Sequence, residues 1–150
     1  MRLFEFFNDT EVTLDLAATT KPAVLEEMVG LLGLDEDAQQ LLVKLLKKRE
    51  NLGSTGIGKH VAIPHCRSLV VDRLRVAYAR KPGGLDFAAI DDEPVNHLFL
   101  IVAPPVEISN QYLPVLGKIA QFCKNEENIA RLNEVGSTDE FLAVLKDAEV

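Results

Sequence analysis

Apolar positions recur along this chain with two periods. Val24, Leu25, Met28, Leu31 and Leu32 repeat at the three- and four-residue spacing of a helix with one buried stripe. Thr20 is placed to cap that helix, Pro22 falls in its first turn, and Gly33 is placed to end it. Ala38, Leu41, Leu42, Leu45 and Leu46 repeat in the same way after Asp35, and Lys47, Lys48 and Arg49 close the segment. A third long helix is predicted from about Asn110 to Lys124, with Leu113, Leu116, Ile119, Ala120 and Cys123 on its buried side. Pro114 has to lie in its first turn, which puts Tyr112 at or near the helix start. A shorter helix around Glu126–Val135 ends at Gly136. The last helix opens on the capping box Ser137-Thr-Asp-Glu140 and buries Phe141, Leu142 and Leu145.

The period of two marks the strands. Val12, Leu14 and Leu16 alternate, and so do Leu74, Val76 and Tyr78 on a half-buried strand that ends before the Pro82-Gly83-Gly84 turn. Residues 85–93 read as a loop or a short strand. Val95 to Ala103 is almost continuously apolar, as on a central strand covered on both faces, and Pro104-Pro105 ends it. Strands and helices mix without strict alternation. The expected architecture is therefore α/β: a single domain over residues 1–150, with a mixed sheet of four or five strands flanked by helices on both faces.

Composition narrows the function. The longest apolar run, Leu98 to Val106, is far shorter than the roughly 20 residues that cross a bilayer. The start of the chain lacks the features of a signal peptide, so a cytoplasmic protein without membrane insertion is expected. The two cysteines, Cys66 and Cys123, supply neither a disulfide framework nor a zinc spacing. The net charge of −7 argues against generic nucleic-acid binding. Its distribution says more. Lys44 to Arg67 holds six cations and one acid, whereas the remainder holds ten cations and twenty-two acids. Lysines at a helix C-terminus account for part of that window, but less well for Arg49, Lys59 and Arg67.

The basic window contains the stretch Gly53-Ser-Thr-Gly-Ile-Gly-Lys-His-Val-Ala-Ile-Pro-His65. Three glycines in six positions let the backbone turn sharply and present N–H groups, with Ser54, Thr55 and Gly56 as candidate contacts for an oxyanion. Val61 to Ile63 form a strand end that Pro64 stops, which delivers His65 to the rim of the fold. Arg49, at a helix end, can converge on the same cleft. Of the three histidines, His97 reads as structural. His60 reads as an incidental surface residue or a second contact in the site. A metal centre would have only His60, His65 and Cys66, and the adjacent pair rarely aims at one ion. A hydrolase would have Ser54 or Cys66 as nucleophile, but no nucleophile elbow. The third chemistry, His65 as nucleophile towards a phosphoryl group, suits the local positive charge best. The glycine pattern is neither a Walker loop nor a dinucleotide fingerprint.

The segment Arg49-Glu-Asn-Leu-Gly-Ser-Thr-Gly-Ile-Gly-Lys-His-Val-Ala-Ile-Pro-His65 resembles the signature of the fructose/mannitol-type IIA domains of the bacterial phosphotransferase system, including their nitrogen-regulatory branch. Val12-Thr-Leu-Asp-Leu, Leu85-Asp-Phe-Ala-Ala-Ile-Asp, Pro94-Val95 and Pro104 extend the resemblance over nearly the whole chain. It implies that His65 takes a phosphoryl group from the phosphocarrier HPr, that Arg49 neutralises that group, and that no metal or organic cofactor is needed. It also implies a mixed sheet flanked by helices. Two positions depart from the pattern. Tyr112 stands where the family usually has a second active-site histidine, and His60 stands where it usually has glycine. Both join the expected phosphate contacts. Three functions stay open at this stage: a phosphoryl carrier or sensor that controls a downstream regulatory target, a binding module that has lost phosphotransfer, and a sugar-specific IIA component. A free-standing chain of this length leans towards the first. The sequence leaves the oligomeric state unassigned.

Overall fold

The computed structural model describes residues 2–108, 110–148 and 150. Two 3-10 turns, Leu3–Phe6 and Asp9–Glu11, lead into β1 (Val12–Thr13). Then come α1 (Lys21–Gly30) and α2 (Glu36–Asn51), followed by β2 (Gly56–Gly58), β3 (Val61–Ala62), β4 (His65–Arg67), β5 (Arg75–Leu85) and β6 (Val95–Ala103). The chain closes with α3 (Tyr112–Cys123), α4 (Glu126–Glu134) and α5 (Thr138–Asp147). The sheet order is β1-β5-β6-β3-β2, with β4 also paired to β6. β5 is antiparallel to β6 and β2 to β3, while the other pairings are parallel.

The mixed sheet with helices on both faces is as expected. It is five strands wide although six strands are present among the described residues, because β3 and β4 occupy one place beside β6. Pro64 separates them. It has no N–H for the ladder, but its carbonyl accepts from the Ile101 amide at 3.0 Å, and pairing resumes at His65 opposite Ile101. His65 therefore opens a new strand, where the sequence suggested the end of one.

Alternation along β6 divides the interior into two cores. Phe99, Ile101 and Ala103, with Val76 and Tyr78, pack under α3, α4 and α5. Leu98, Leu100 and Val102, with Ala77 and Ala79, pack under α1 and α2. On the first face the Tyr78 and Phe141 rings stack at 4.3 Å between centroids. On the second, alanines of the sheet lie under Val24, Leu25, Met28, Leu42 and Leu46. Each such aliphatic side chain, fully buried, contributes roughly 1.5–3 kcal/mol relative to exposure.

Several expectations shift. β5 is buried on both faces at Val76, Ala77, Tyr78 and Ala79, not on one. It continues irregularly through Pro82-Gly83-Gly84 to Leu85, with a register shift after Arg80, so that motif bends the strand without ending it. In α2 the buried stripe is Leu42, Val43 and Leu46, and Leu41 is exposed. In α3 it is Tyr112, Val115, Ile119, Phe122 and Cys123, and Leu113 is exposed. In both helices apolar residues outnumber the places in the core, so spacing alone does not set the phase. α1 ends at Gly30, before the turn that carries Gly33 at φ +68°.

The caps follow the sequence more closely. Thr20, Asp35 and Ser137 accept from the amides of Ala23, Ala38 and Glu140 at 3.3, 2.8 and 3.1 Å. The Glu140 carboxylate takes the Gly136 amide and does not close the box on Ser137.

Candidate functional site

His65 sits near the end of the sheet where β6 finishes, with its ring partly exposed. Its Nδ1 lies 2.7 Å from the carbonyl oxygen of Ile63, two residues back across Pro64. A carbonyl can only accept, so Nδ1 carries the proton and donates it. In the neutral ring Nε2 then holds the free lone pair, and it has no hydrogen-bond partner among the described residues. The bend at Pro64 that interrupts the ladder is thus also what orients the imidazole.

Tyr112 lies beside this ring, and the charges of two arginines act on Tyr112. The Tyr112 ring, at the first residue of α3, lies 6.3 Å from it between centroids. Arg67, two residues along β4 and therefore on the same side of the strand as His65, lays its guanidinium 4.3 Å over the Tyr112 ring. One Arg67 Nη donates to the Pro104 carbonyl at 3.0 Å. Arg49, in the last turn of α2, donates to the Gly53 carbonyl at 2.8 Å and so lies over the glycine turn. Burial pushes the Tyr112 phenol up to about 12, the Cys66 thiol adds to this, and the Arg67 and Arg49 charges pull the other way. Tyr112 is therefore neutral at physiological pH. Neither arginine makes an ion pair among the described residues. Two uncompensated guanidiniums and one free imidazole nitrogen make a place for an anion.

Arg67 was not among the sequence candidates, although its two-residue spacing from His65 on an extended segment was the available signal. Glu50 was missed as well. It is buried, takes the Lys21 ammonium at 2.7 Å, accepts from the Thr55 amide, and also binds the Thr55 hydroxyl. This carboxylate ties the glycine turn to α1 and to the end of α2.

That tie overturns part of the expected phosphate cradle. The Thr55 amide and hydroxyl are both held by Glu50. The Ser54 hydroxyl donates to the Phe87 carbonyl at 2.7 Å and accepts from the Gly56 amide at 3.0 Å. Gly56 is needed for a different reason, since a Cβ there would fall 2.7 Å from the Cβ of Ala89. Thr55 and Gly56 are buried, and the polar groups of Ser54, Thr55 and Gly56 named above are taken up within the fold. His60 is misplaced too. It lies beside Asn96 and His97 at the other end of β6, about 16 Å along the sheet from His65, and its Nδ1 donates to the Pro94 carbonyl at 2.8 Å. His60 belongs to the tight turn between β2 and β3, with φ +66° after Lys59 at +55°. Its distance also removes the His60–His65–Cys66 metal set. Among the described residues no cluster of three or more His, Cys, Asp or Glu side chains is placed to hold a metal ion.

His97 is structural, as its position suggested. It is fully buried, its Nδ1 accepts from the Tyr78 hydroxyl at 2.7 Å, and its Nε2 donates to the Asn133 side-chain oxygen at 2.8 Å. Burial pushes it down to about 4, against the Asn133 hydrogen bond and with the nearby Arg80 charge. The hydrolase alternatives weaken on the same grounds. Burial pushes the Cys66 thiol up to about 12, so it is not a thiolate at neutral pH. The Ser54 hydroxyl is committed to Phe87. Among the described residues no helix is long and apolar enough to cross a membrane.

Comparison with known proteins bears on the fold and the family. Residues 5–148 match the family model described as phosphoenolpyruvate-dependent sugar phosphotransferase system, EIIA 2. The fructose-specific EIIABC component of Bacillus subtilis is 29% identical over 148 residues, covering 97% of this chain, and this chain spans 23% of that longer protein. The nitrogen regulatory protein of Pseudomonas aeruginosa is 28% identical over 151 residues, covering 99% of this chain and 97% of the relative. The crystal structure of nitrogen regulatory protein IIA-Ntr from Neisseria meningitidis superposes with a TM-score of 0.86 at 30% identity, over 95% of this chain and 98% of that one. The fold and the match over almost every residue converge, and the chain belongs to the EIIA type-2 family of the phosphotransferase system.

Proposed function

We propose that this protein is a phosphoryl carrier of the nitrogen-regulatory kind, in which Nε2 of His65 accepts a phosphoryl group from an HPr-type phosphocarrier. The observation that carries this reading is the hydrogen bond from Nδ1 to the Ile63 carbonyl, which leaves Nε2 without a partner among the described residues, next to a tyrosine on which the Arg67 and Arg49 charges act. In the transfer, the P–N bond of the donor's phosphohistidine breaks and its electron pair returns to the donor nitrogen. The Nε2 lone pair forms the new P–N bond, and the proton stays on Nδ1, hydrogen-bonded to the Ile63 carbonyl, whose oxygen stabilises the cationic ring. Arg49 meets the charge on the phosphoryl oxygens. One such charge-assisted contact is worth roughly 1.5–3 kcal/mol.

A protein donor also needs a face to dock on. Leu52, Leu69, Val106, Ile108 and Leu113 are exposed on the segments that border His65 and Tyr112 at this end of the sheet. Apolar exposure of this kind suits a transient protein contact. The phosphorylated form then carries two negative charges on the phosphoryl oxygens in the middle of that face, one of them offset by the cationic ring, and a cytoplasmic regulatory target can read the difference. Relatives named nitrogen regulatory protein, matched over nearly their whole length, support this role, although fructose-specific components match at similar identity.

The test is mass spectrometry after incubation with HPr, its upstream kinase and phosphoenolpyruvate. The expected result is a gain of one phosphoryl group that disappears in His65→Ala. An unchanged wild-type mass, or a gain that persists in His65→Ala, removes the reading.

A further inference from the structure

We propose that Arg67, held flat on Tyr112, is a second phosphoryl-binding cation of the His65 site, and that Tyr112 acts as its platform and not as a ligand. This rests on the phosphoryl-acceptor reading of His65.

The neighbours of the ring lead to this assignment. A phosphoryl group on Nε2 carries two negative charges, and the second imidazole usual in this family is replaced here by Tyr112. Burial keeps the Tyr112 phenol protonated far above neutral pH, so it brings no positive charge of its own. Its ring does carry one. The Arg67 guanidinium lies 4.3 Å from the ring centroid, in cation–π range, and the same ring is 6.3 Å from His65.

Arg67 is also anchored by covalent geometry. On β4 it is two residues from His65, about 6.6 Å along the strand, and on the same face. The Pro104 carbonyl takes one Nη1–H at 3.0 Å. A guanidinium has five N–H donors, so most remain for another acceptor. No carboxylate pairs with it among the described residues, in contrast to Arg75, whose Glu11 partner lies at 3.1 Å. A cation stacked on one face, fixed at one nitrogen and unpaired, beside a free imidazole nitrogen, is preorganised for an anion on that nitrogen. Arg49 approaches from the glycine turn, and Arg67 from the side of Tyr112.

The experiment measures the rate of phosphoryl uptake and the hydrolysis half-life of the product for wild type, Arg67→Ala, Arg67→Gln, Tyr112→Phe and Tyr112→Leu. Two donors are used, phosphorylated HPr and the small molecule phosphoramidate. With either donor, Arg67→Ala and Arg67→Gln are expected to slow uptake about 10- to 100-fold and to shorten the half-life. Tyr112→Phe keeps the ring and is expected within about twofold of wild type. Tyr112→Leu removes the platform and is expected to show much of the Arg67→Ala loss. Wild-type rates in both Arg67 variants overturn the inference. So does a loss seen with HPr but not with phosphoramidate, which makes Arg67 a docking residue. Tyr112→Phe as slow as Tyr112→Leu also overturns it, because the hydroxyl is then the ligand. Because Arg67 is exposed on an edge strand, its variants are expected to fold, and urea midpoints verify this. If wild type itself gains no phosphoryl group from either donor, the His65 reading fails, an outcome distinct from a wild type that labels and an Arg67→Ala that labels equally well.

Discussion

His65 and His97 lie on adjacent strands of one sheet and use their imidazoles in opposite ways. His97 has both nitrogens engaged, one by the Tyr78 hydroxyl and one by Asn133, inside a fully buried setting. His65 has one nitrogen engaged by a main-chain carbonyl and the other without a hydrogen-bond partner among the described residues. The first ring joins β5, β6 and α4 and is held neutral. The second is held in one tautomer with a lone pair available. A histidine is chemically useful only where the fold leaves one nitrogen without a partner, and residue type alone does not reveal which ring that is.

The contrast can be broken most sharply by exchanging the losses. His65→Ala should abolish phosphoryl uptake while changing unfolding free energy by only about 1 kcal/mol in urea titration. His97→Ala should do the reverse, costing about 2–4 kcal/mol through a cavity and a buried Tyr78 hydroxyl left unpaired, with labelling retained in the folded fraction. A His97→Ala protein as stable as wild type would remove the structural assignment.

Acid should reveal His97 next. Its pKa falls from 6.5 to about 4 on folding, so the unfolded chain binds more protons than the native one between those values. Its contribution is fully present above pH 6.5 and is lost as pH falls towards 4, about 3 kcal/mol in all. Chemical denaturation across that range should show a slope in wild type that flattens in His97→Phe. Equal slopes in both proteins would place the proton uptake elsewhere.

Arg49→Ala sharpens the other side. It should slow phosphorylation of His65 by the equivalent of about 1.5–3 kcal/mol and leave the urea midpoint nearly unchanged, since Arg49 lies at a helix end. Phosphorylation of that variant at the wild-type rate would take Arg49 out of the site. The smallest effect is expected from Asn133→Ala. It removes one acceptor from His97 at an exposed position, where water can substitute in part, for about 1 kcal/mol. A loss above about 3 kcal/mol would show that Asn133 does more than receive that proton.

Much of this was legible along the chain. The buried strand Val95–Ala103, the caps at Thr20, Asp35 and Ser137, and the start of α3 at Tyr112 each depend on local chemistry that a short window contains. His65 was legible because the glycines, Pro64 and the cluster of cations are contiguous. The phases of α2 and α3 were not. Leu41 and Leu113 are as apolar as their buried neighbours, and only the opposing sheet selects among them.

The site divides along the same line. Sequence by itself determined which imidazole lies beside a proline and in a basic segment, because those properties belong to neighbours in the chain. Tertiary structure decided everything that requires two distant segments to meet. It turned Ser54, Thr55 and Gly56 inward, onto Phe87, Glu50 and Ala89. It set His60 and His65 towards opposite ends of β6, although they are only five positions apart, because extended chain advances about 3.3 Å per residue. It brought Tyr112 from α3 against Arg67 from β4, forty-five positions apart, and so set a cation on the ring that neighbours His65. A sequence lists its charges, but whether a charge has a partner depends on which surfaces are pressed together when the cores close.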